Sequence, residues 1–161
     1  MATTTHETRY LVPDRFSRRI MNPIVAGLAR AGLALRGAHE LRVRGRRSGE
    51  WRTVPVNPLT IDDVTYLVAP RGNTEWVRNL RAAGTCELRL GRRTVASAAS
   101  EITDSAVAAP LLQAYLRRWK AEVARYFDGL TAESTLDEFA AAAPSYPVFS
   151  LTPATSTSGA G

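Results

Sequence analysis

The run Arg44-Gly45-Arg46-Arg47-Ser48-Gly49 constrains the fold of this chain more than any other segment. Two glycines bracket Arg46 and Arg47, Arg44 precedes the first glycine, and the flanking residues alternate apolar and polar, as half-buried strands do. The sequence therefore predicts a β-hairpin whose turn carries three guanidinium groups and a hydroxyl. The exposed backbone N–H groups of such a turn, with forked arginine side chains beside them, suit phosphate or carboxylate oxygens. The alternative is a solvated hairpin tip whose arginines keep a sheet edge soluble.

The remaining periodicity predicts more strands, with helices between and after them. Strand-like runs cover 41–44, 51–58, 64–69, 86–90, 93–102 and 146–151, and the first three are expected to form a meander with a turn at 60–63. Thr74 and Gly84 are expected to begin and end a short helix, and Thr103 or Asp104 is expected to cap the first of three later helical segments. In the first of these segments, Pro110 either lies inside the helix or marks the position where a new helix begins. Interrupted strands with helices gathered at their edges predict an α+β barrel of mainly antiparallel strands.

Composition divides the chain into four segments. Residues 1–8 and 152–161 are polar or small and are expected to be flexible. Residues 9–36 have apolar side chains at helical spacing with arginines between them, and 37–151 hold the barrel. A basic amphipathic helix over 9–36 suits the surface of an anionic bilayer, or it packs across the barrel mouth with its arginines in water.

The charge of the chain favours an acidic partner. The net charge is +6 and the isoelectric point is near 10.2, which suits nucleic acid, an anionic membrane surface or a negatively charged cofactor. Nucleic acid is disfavoured because no aromatic stacking platforms lie between the arginines. The chain has a single cysteine, Cys86, which excludes an internal disulfide and favours a cytoplasmic location. The basic helix over 9–36 adds the option of peripheral association with the cytoplasmic face of a membrane.

Other catalytic chemistries have little support in the residues. His6 lies in the polar N-terminal segment and His39 stands alone before a strand, so the sequence predicts neither a histidine triad nor a metal site. Asp62-Asp63 is interpreted as a turn. Cys86 alternates into a strand and is expected to be a small core residue.

The order of the motifs resembles the deazaflavin-dependent nitroreductases, which are split β-barrel proteins of the FMN-binding type. The markers are Gly45-x-Arg47-Ser48-Gly49 followed by Pro55, and then Trp76-x-x-Asn79-Leu80-x-Ala82. The resemblance covers about residues 20 to 151. One departure follows the third strand, where Pro70-Arg71-Gly72-Asn73 replaces a common serine-lysine-glycine-glycine.

The resemblance implies an oxidoreductase that uses coenzyme F-420, an 8-hydroxy-5-deazaflavin with a phosphate and a glutamate tail. Hydride transfer would go to a hydrophobic, electron-poor acceptor such as a quinone, an enone or a nitroaromatic. FMN is the variant cofactor. The alternative function is a non-catalytic barrel that binds lipid, fatty acid or cofactor at the membrane surface, and the assembly is expected to be a monomer or a homodimer.

The resemblance also implies a set of site residues. Those expected to bind the cofactor are Arg46, Arg47, Ser48, Gly49, Val54, Pro55, Val56, Ala69, Arg71, Gly72, Trp76 and Asn79. The turn arginines would hold the phosphate and acidic tail, and the backbone of 54–56 would run along the deazaflavin ring. Tyr115 and Tyr126 are the candidate catalytic proton donors, with solvent as the alternative.

Overall fold

A seven-stranded antiparallel sheet is the framework of the computed structural model, which describes residues 39–155. The strands lie in the order β2-β1-β5-β6-β7-β4-β3. The expected flexible segment 1–8 and the expected amphipathic helix 9–36 lie outside the described residues, as does 156–161 of the expected C-terminal tail. No helix in the described range is both long and apolar enough to cross a bilayer.

Most elements fall where the sequence predicted them, but the short strand at 59–61 was not predicted. The strands are β1 His39–Arg44, β2 Trp51–Val56, β3 Leu59–Ile61, β4 Val64–Val68, β5 Thr85–Leu90, β6 Arg93–Glu101 and β7 Val148–Pro153. The helices are α1 Glu75–Ala83, α2 Ser105–Arg118, α3 Lys120–Val123 and α4 Leu136–Ala142, with 3-10 turns at Ala124–Tyr126 and Ala143–Ser145. This arrangement confirms the α+β class and the antiparallel sheet.

The predicted hairpin around the arginine-rich turn is confirmed, but the predicted meander is wrong. β1 pairs with β2 from His39↔Val56 to Arg44↔Trp51. β4, however, pairs with β3 and β7, so β2 and β3 lie at opposite ends of the strand order. Only Asn57 and Pro58 join those two strands. Two residues span about 10 Å at most between flanking strands, so the sheet must curl until its two ends approach each other.

Local signals explain where the elements begin and end. Asp62 and Asp63 both have positive φ, at 48° and 64°, and form a two-residue turn between β3 and β4 that is shorter than the predicted turn at 60–63. Gly84 ends α1 with φ 69°, and its N–H donates to the Leu80 carbonyl, as expected for a C-terminal glycine. The last strand extends to Pro153, two residues into the expected tail.

The helices after β6 pack as one layer over the sheet. Asp104, one of the two residues predicted to cap this helix, caps α2 by accepting from the Ala106 N–H at 2.9 Å, and α2 continues through Pro110 without a restart. Phe139 of α4 is fully buried in the cluster that contains Leu112, Leu116 and Trp119. A second cluster, between the sheet and α1, includes Cys86 as a buried residue, where burial raises the pKa of its thiol to about 11. Cys86 is therefore a core residue, as expected from the sequence.

We expect Phe139→Ala to lower the free energy of unfolding by about 3–5 kcal/mol, because it removes a ring with 0% exposure and leaves a cavity against α2. Leu136→Ala on the same helix is the matched control, since that side chain is 48% exposed. Urea unfolding followed by circular dichroism measures both. Equal effects of the two variants would contradict the packing of α4 on α2.

Candidate functional site

A cleft of about 710 Å³ opens between the curled sheet and the helical layer. One wall is β2, a second is the turn after β4 together with the start of α1, and a third comes from 115–126 in α2, α3 and the following 3-10 turn. Its lining residues are Val43, Arg52, Thr53, Val54, Pro55, Val56, Asn57, Val68, Ala69, Pro70, Arg71, Thr74, Glu75, Trp76, Asn79, Tyr115, Glu122, Val123, Arg125 and Tyr126. The volume lies within the usual range for sites that bind small molecules and cofactors.

β2 offers backbone polar groups to the cleft. Among the described strands it pairs only with β1, and the Gly45 N–H donates to the Glu50 carbonyl at 2.8 Å. Hydrogen-bonded and non-hydrogen-bonded residue pairs alternate along two antiparallel strands. Counting from this bond, the backbone N–H and C=O groups of Arg52 and Val54 point towards β1. The polar groups of Thr53 and Pro55 therefore face away from β1. A proline fits this position because its missing N–H takes no ladder bond away.

The turn after β4 closes the second wall. Gly72 has φ 80°, and its N–H donates to the Ala69 carbonyl at 3.1 Å, which leaves Pro70 and Arg71 at the corners of the turn. The Arg71 guanidinium lies 5.9 Å from the centre of the Tyr126 ring, across the cleft. Ala69 and Arg71 thus line the cleft. Gly72 does not, and its role is to shape the turn.

Arg46 joins the arginine-rich turn to the cleft through α1. The Asn79 Oδ1 atom accepts from the Arg46 backbone N–H at 3.1 Å and from Arg46 Nη1 at 2.9 Å. Arg46 Nη1 also donates to Glu75 Oε2 at 2.8 Å. Asn79 is only 6% exposed, so its amide is a fixed support for the arginine. The Arg46 hydrogen bond, with the charges of Arg46, Arg78 and Arg47, holds the pKa of the Glu75 carboxyl below its usual value.

The tip of the same turn lies outside the cleft lining. Arg47, Ser48 and Gly49 are exposed, and Ser48 Oγ accepts from the Glu50 N–H at 3.2 Å. The expectation that this turn leaves its backbone N–H groups exposed is wrong for Gly45, Arg46, Gly49 and Glu50, because each donates to an oxygen within the protein. The N–H groups of Arg47 and Ser48 and the arginine side chains stay available to an anion at this turn.

The helical wall contains both candidate tyrosines in different settings. Tyr115 is 1% exposed, and burial, together with the charge of Glu122, raises the pKa of its phenol. Tyr126 is half-buried, and its hydroxyl oxygen accepts from Arg125 Nη2 at 2.8 Å. The Tyr126 backbone is held in turn by the Tyr146 hydroxyl, which donates to the Tyr126 carbonyl at 3.0 Å.

Trp76 and Thr74 complete the entrance to the cleft. The Trp76 ring is half-buried and lies 6.1 Å from the Phe149 ring, so Trp76 both packs on the sheet and faces the cleft. Thr74 precedes α1, as predicted, but its hydroxyl does not cap the helix. Thr74 Oγ1 is buried and has no hydrogen-bond partner among the described residues. A bound ligand that offers a polar atom here would satisfy it.

Most of the site residues expected from the sequence meet in this cleft. Val54, Pro55, Val56, Ala69, Arg71, Trp76, Asn79, Tyr115 and Tyr126 line it. Arg46 reaches it through Glu75 and Asn79, whereas Arg47, Ser48, Gly49 and Gly72 are not part of the lining. Thr53, Glu75 and Arg125 were missed. Two sequence features could have indicated them. Glu75 is an acidic residue in the first turn after the expected helix start at Thr74, and Arg125 directly precedes the candidate Tyr126.

Solved structures share this fold at low sequence identity. An F420-H2 dependent reductase, FDR-A, matches with a TM-score of 0.50 at 18% identity, over 71% of this chain and 93% of that one. A FAD-binding protein from Mesorhizobium loti matches with a TM-score of 0.52 at 12% identity, over 73% and 81%. A structure described as a domain-swapped dimer matches with a TM-score of 0.52 at 18% identity, over 85% and 97%. The fold is therefore the split β-barrel expected from the sequence.

A family model describes most of the chain. No curated protein matches the sequence closely enough to be counted as a relative. The model of the F420H(2)-dependent quinone reductases, however, matches residues 18–134, which include the arginine-rich turn, β2 and α1. The chain belongs to the F420H(2)-dependent quinone reductase family and is an oxidoreductase whose cofactor is coenzyme F-420.

Proposed function

We propose that the cleft binds coenzyme F-420 with its phosphate and acidic tail at Arg46 and Arg47, and that the enzyme reduces a quinone. The observation that carries this proposal is the position of Arg46, which Asn79 fixes beside a cleft bordered by the open edge of β2. If Arg46 held the phosphate of the coenzyme, the deazaflavin ring of the same molecule could lie along that edge.

The chemistry of the lining fits such a ligand. Thr53 and Pro55 present backbone polar groups that can pair with the polar edge of a flat heterocycle, and Thr74 Oγ1 has a hydrogen bond to make. Val54, Val56 and Trp76 supply apolar surface on the same side. When bound, the coenzyme supplies a hydride to the acceptor. The protein therefore has to orient the two reactants, exclude water and provide a proton.

Tyr126 is better placed than Tyr115 to donate that proton. Arginine side chains donate hydrogen bonds but do not accept them, so the Tyr126 oxygen accepts from Arg125 and its own O–H proton is directed elsewhere. The Arg125 guanidinium also supplies positive charge where an oxygen of the acceptor would gain negative charge. Tyr115 is more buried, and its raised pKa makes it a poorer acid.

The family supports a quinone as the acceptor, whereas enones and nitroaromatics are alternatives with the same electron-poor character. Val123 and the rings of Tyr115 and Tyr126 give the acceptor side of the cleft an apolar surface. A non-catalytic lipid or cofactor carrier would use the same cleft. It differs from a reductase in one measurable respect, since it would bind the coenzyme or a fatty acid without turnover.

Location and assembly stay predictions. Contact of residues 9–36 with an anionic membrane, a cytoplasmic location and a monomer or homodimer all rest on the sequence. A membrane contact would suit a reductase of quinones, because lipid-soluble quinones partition into bilayers. Co-sedimentation of the full chain with anionic and neutral vesicles, at low and high salt, measures that contact.

We expect Arg46→Ala combined with Arg47→Ala to weaken binding of coenzyme F-420 at least tenfold, because two charge-assisted contacts to its anionic groups are lost. Fluorescence polarisation of the coenzyme measures the dissociation constant. The control is Arg92→Ala with Arg93→Ala, which removes the same charge from two exposed positions, one in the turn between β5 and β6 and one at the start of β6. Equal affinities of the two double variants would remove the turn from the cofactor site.

We expect Tyr126→Phe to lower kcat/KM for a water-soluble naphthoquinone at least about tenfold while the dissociation constant of the coenzyme stays unchanged, because only proton delivery is lost. Tyr115→Phe removes a hydroxyl from the same wall and is expected to have the smaller effect on kcat/KM. Steady-state kinetics at saturating coenzyme separates the two. Unchanged rates in both variants would assign the proton to solvent.

A further inference from the structure

Glu75 places a carboxylate at the mouth of a cleft that takes an anionic cofactor. Its Oε2 atom accepts from Arg46 Nη1 at 2.8 Å, and its Oε1 atom lies 3.6 Å from Arg78 Nη1. Arg46 therefore already has an acidic partner where the proposed function needs it to receive a phosphate. Removing Glu75 would leave Arg46 supported by Asn79 alone, through two hydrogen bonds.

The Glu75 ion pair differs from the Asn79 contact in how easily it is exchanged. The side chain of Glu75 is 51% exposed and that of Arg46 is 25% exposed, whereas Asn79 is 6% exposed. Exposed ion pairs are weak and mobile, while hydrogen bonds to a buried amide are held by the surrounding packing. A ligand anion can displace the carboxylate from the guanidinium, but the carboxylate stays close because it is anchored in the first turn of α1.

A carboxylate that remains beside the bound anion repels it in proportion to the charge of that anion. The phosphate of coenzyme F-420 is a diester with one negative charge. The phosphate of FMN is a monoester with about 1.5 to 2 negative charges at pH 7. Under the proposed function the carboxylates of the glutamate tail would meet the Arg47 guanidinium, so the cofactor charge that Glu75 meets at Arg46 itself is that of the phosphate. The carboxylate therefore penalises FMN more than it penalises coenzyme F-420.

We infer that Glu75 is a specificity-determining residue that selects a singly charged phosphodiester over a phosphate monoester at Arg46, and thereby coenzyme F-420 over FMN. The inference rests on the proposed function, in which Arg46 receives the cofactor phosphate. It assigns to Glu75 a role opposite to simple support of the arginine. A supporting residue would strengthen binding of both cofactors, whereas a selecting residue weakens both and weakens FMN more.

The test is Glu75→Gln in the full chain, which keeps a hydrogen-bond acceptor for Arg46 and removes the charge. Two like unit charges about 4 Å apart in water repel each other enough to raise a dissociation constant roughly fivefold. We expect coenzyme F-420 to bind roughly fivefold tighter and FMN roughly ten- to twentyfold tighter. The preference for coenzyme F-420 over FMN should therefore fall, and the gain should shrink as salt rises. Direct fluorescence titration of each cofactor, in the absence of any acceptor, gives the four constants.

The matched control is Glu101→Gln. Glu101 forms a two-point ion pair with Arg81, at 2.7 Å and 2.6 Å, and does not line the cleft. The Glu101→Gln substitution removes the same charge from the surface and should leave the dissociation constants of both cofactors unchanged. Equal effects of the two variants would attribute the change to net charge and overturn the inference, as would weaker or unchanged binding of FMN by Glu75→Gln.

The result also separates this inference from the proposed function. Normal binding of coenzyme F-420 by the unaltered protein, with no gain in Glu75→Gln, overturns the role of Glu75 alone. Absence of coenzyme binding in the unaltered protein overturns the cofactor site at Arg46, and the role of Glu75 with it.

Discussion

The short link between β2 and β3 is the constraint on which the site depends. These strands stand at opposite ends of the strand order, yet only Asn57 and Pro58 connect them, so the sheet has to close on itself. Closure brings the open edge of β2 opposite the turn that follows β4. The helical layer then covers the remaining side, with Trp119 Nε1 donating to the Pro58 carbonyl at 3.0 Å across the seam. A cleft beside β2 follows from the connectivity before any side chain of the site is considered.

The second organising contact is the amide of Asn79. It receives both the backbone and the side chain of Arg46, so a hairpin turn that would otherwise move freely is fixed to α1. The remaining turn residues, Arg47 to Gly49, are exposed, and the hydrogen bonds of Ser48 and Gly49 go to residues of the same hairpin. Of the three arginines in the motif, Arg44 donates to the Gly49 carbonyl and Arg46 is fixed by Asn79, whereas Arg47 can adapt to a flexible anionic tail. That division suits a cofactor whose phosphate sits at a defined point and whose tail does not.

The sequence predicted the features that depend on local rules, and it missed those that depend on distant pairings. The hairpin at Gly45 and Gly49, the helix between Thr74 and Gly84 and the burial of Cys86 all follow from turn chemistry and periodicity. The meander failed because β7, about 80 residues later, pairs with β4. Exposed N–H groups were also wrongly expected at Gly45, Arg46 and Gly49 of the arginine-rich turn, where Asn79 and the hairpin itself accept from them. Neither partner could be assigned from the turn sequence alone.

The distribution of burial in the cleft matches what a hydride-transfer enzyme requires of its protein. The cofactor carries the redox chemistry, so the side chains contribute position, exclusion of water and charge. Buried groups such as Asn79 and Tyr115 hold the walls, while the ionic groups at the mouth are exposed and exchangeable. An exposed carboxylate contributes little to the free energy of unfolding. Its charge nevertheless changes the relative affinity of the site for two ligands that carry different charges. A change of charge at the mouth of such a cleft can therefore alter the cofactor preference at little cost to the stability of the fold.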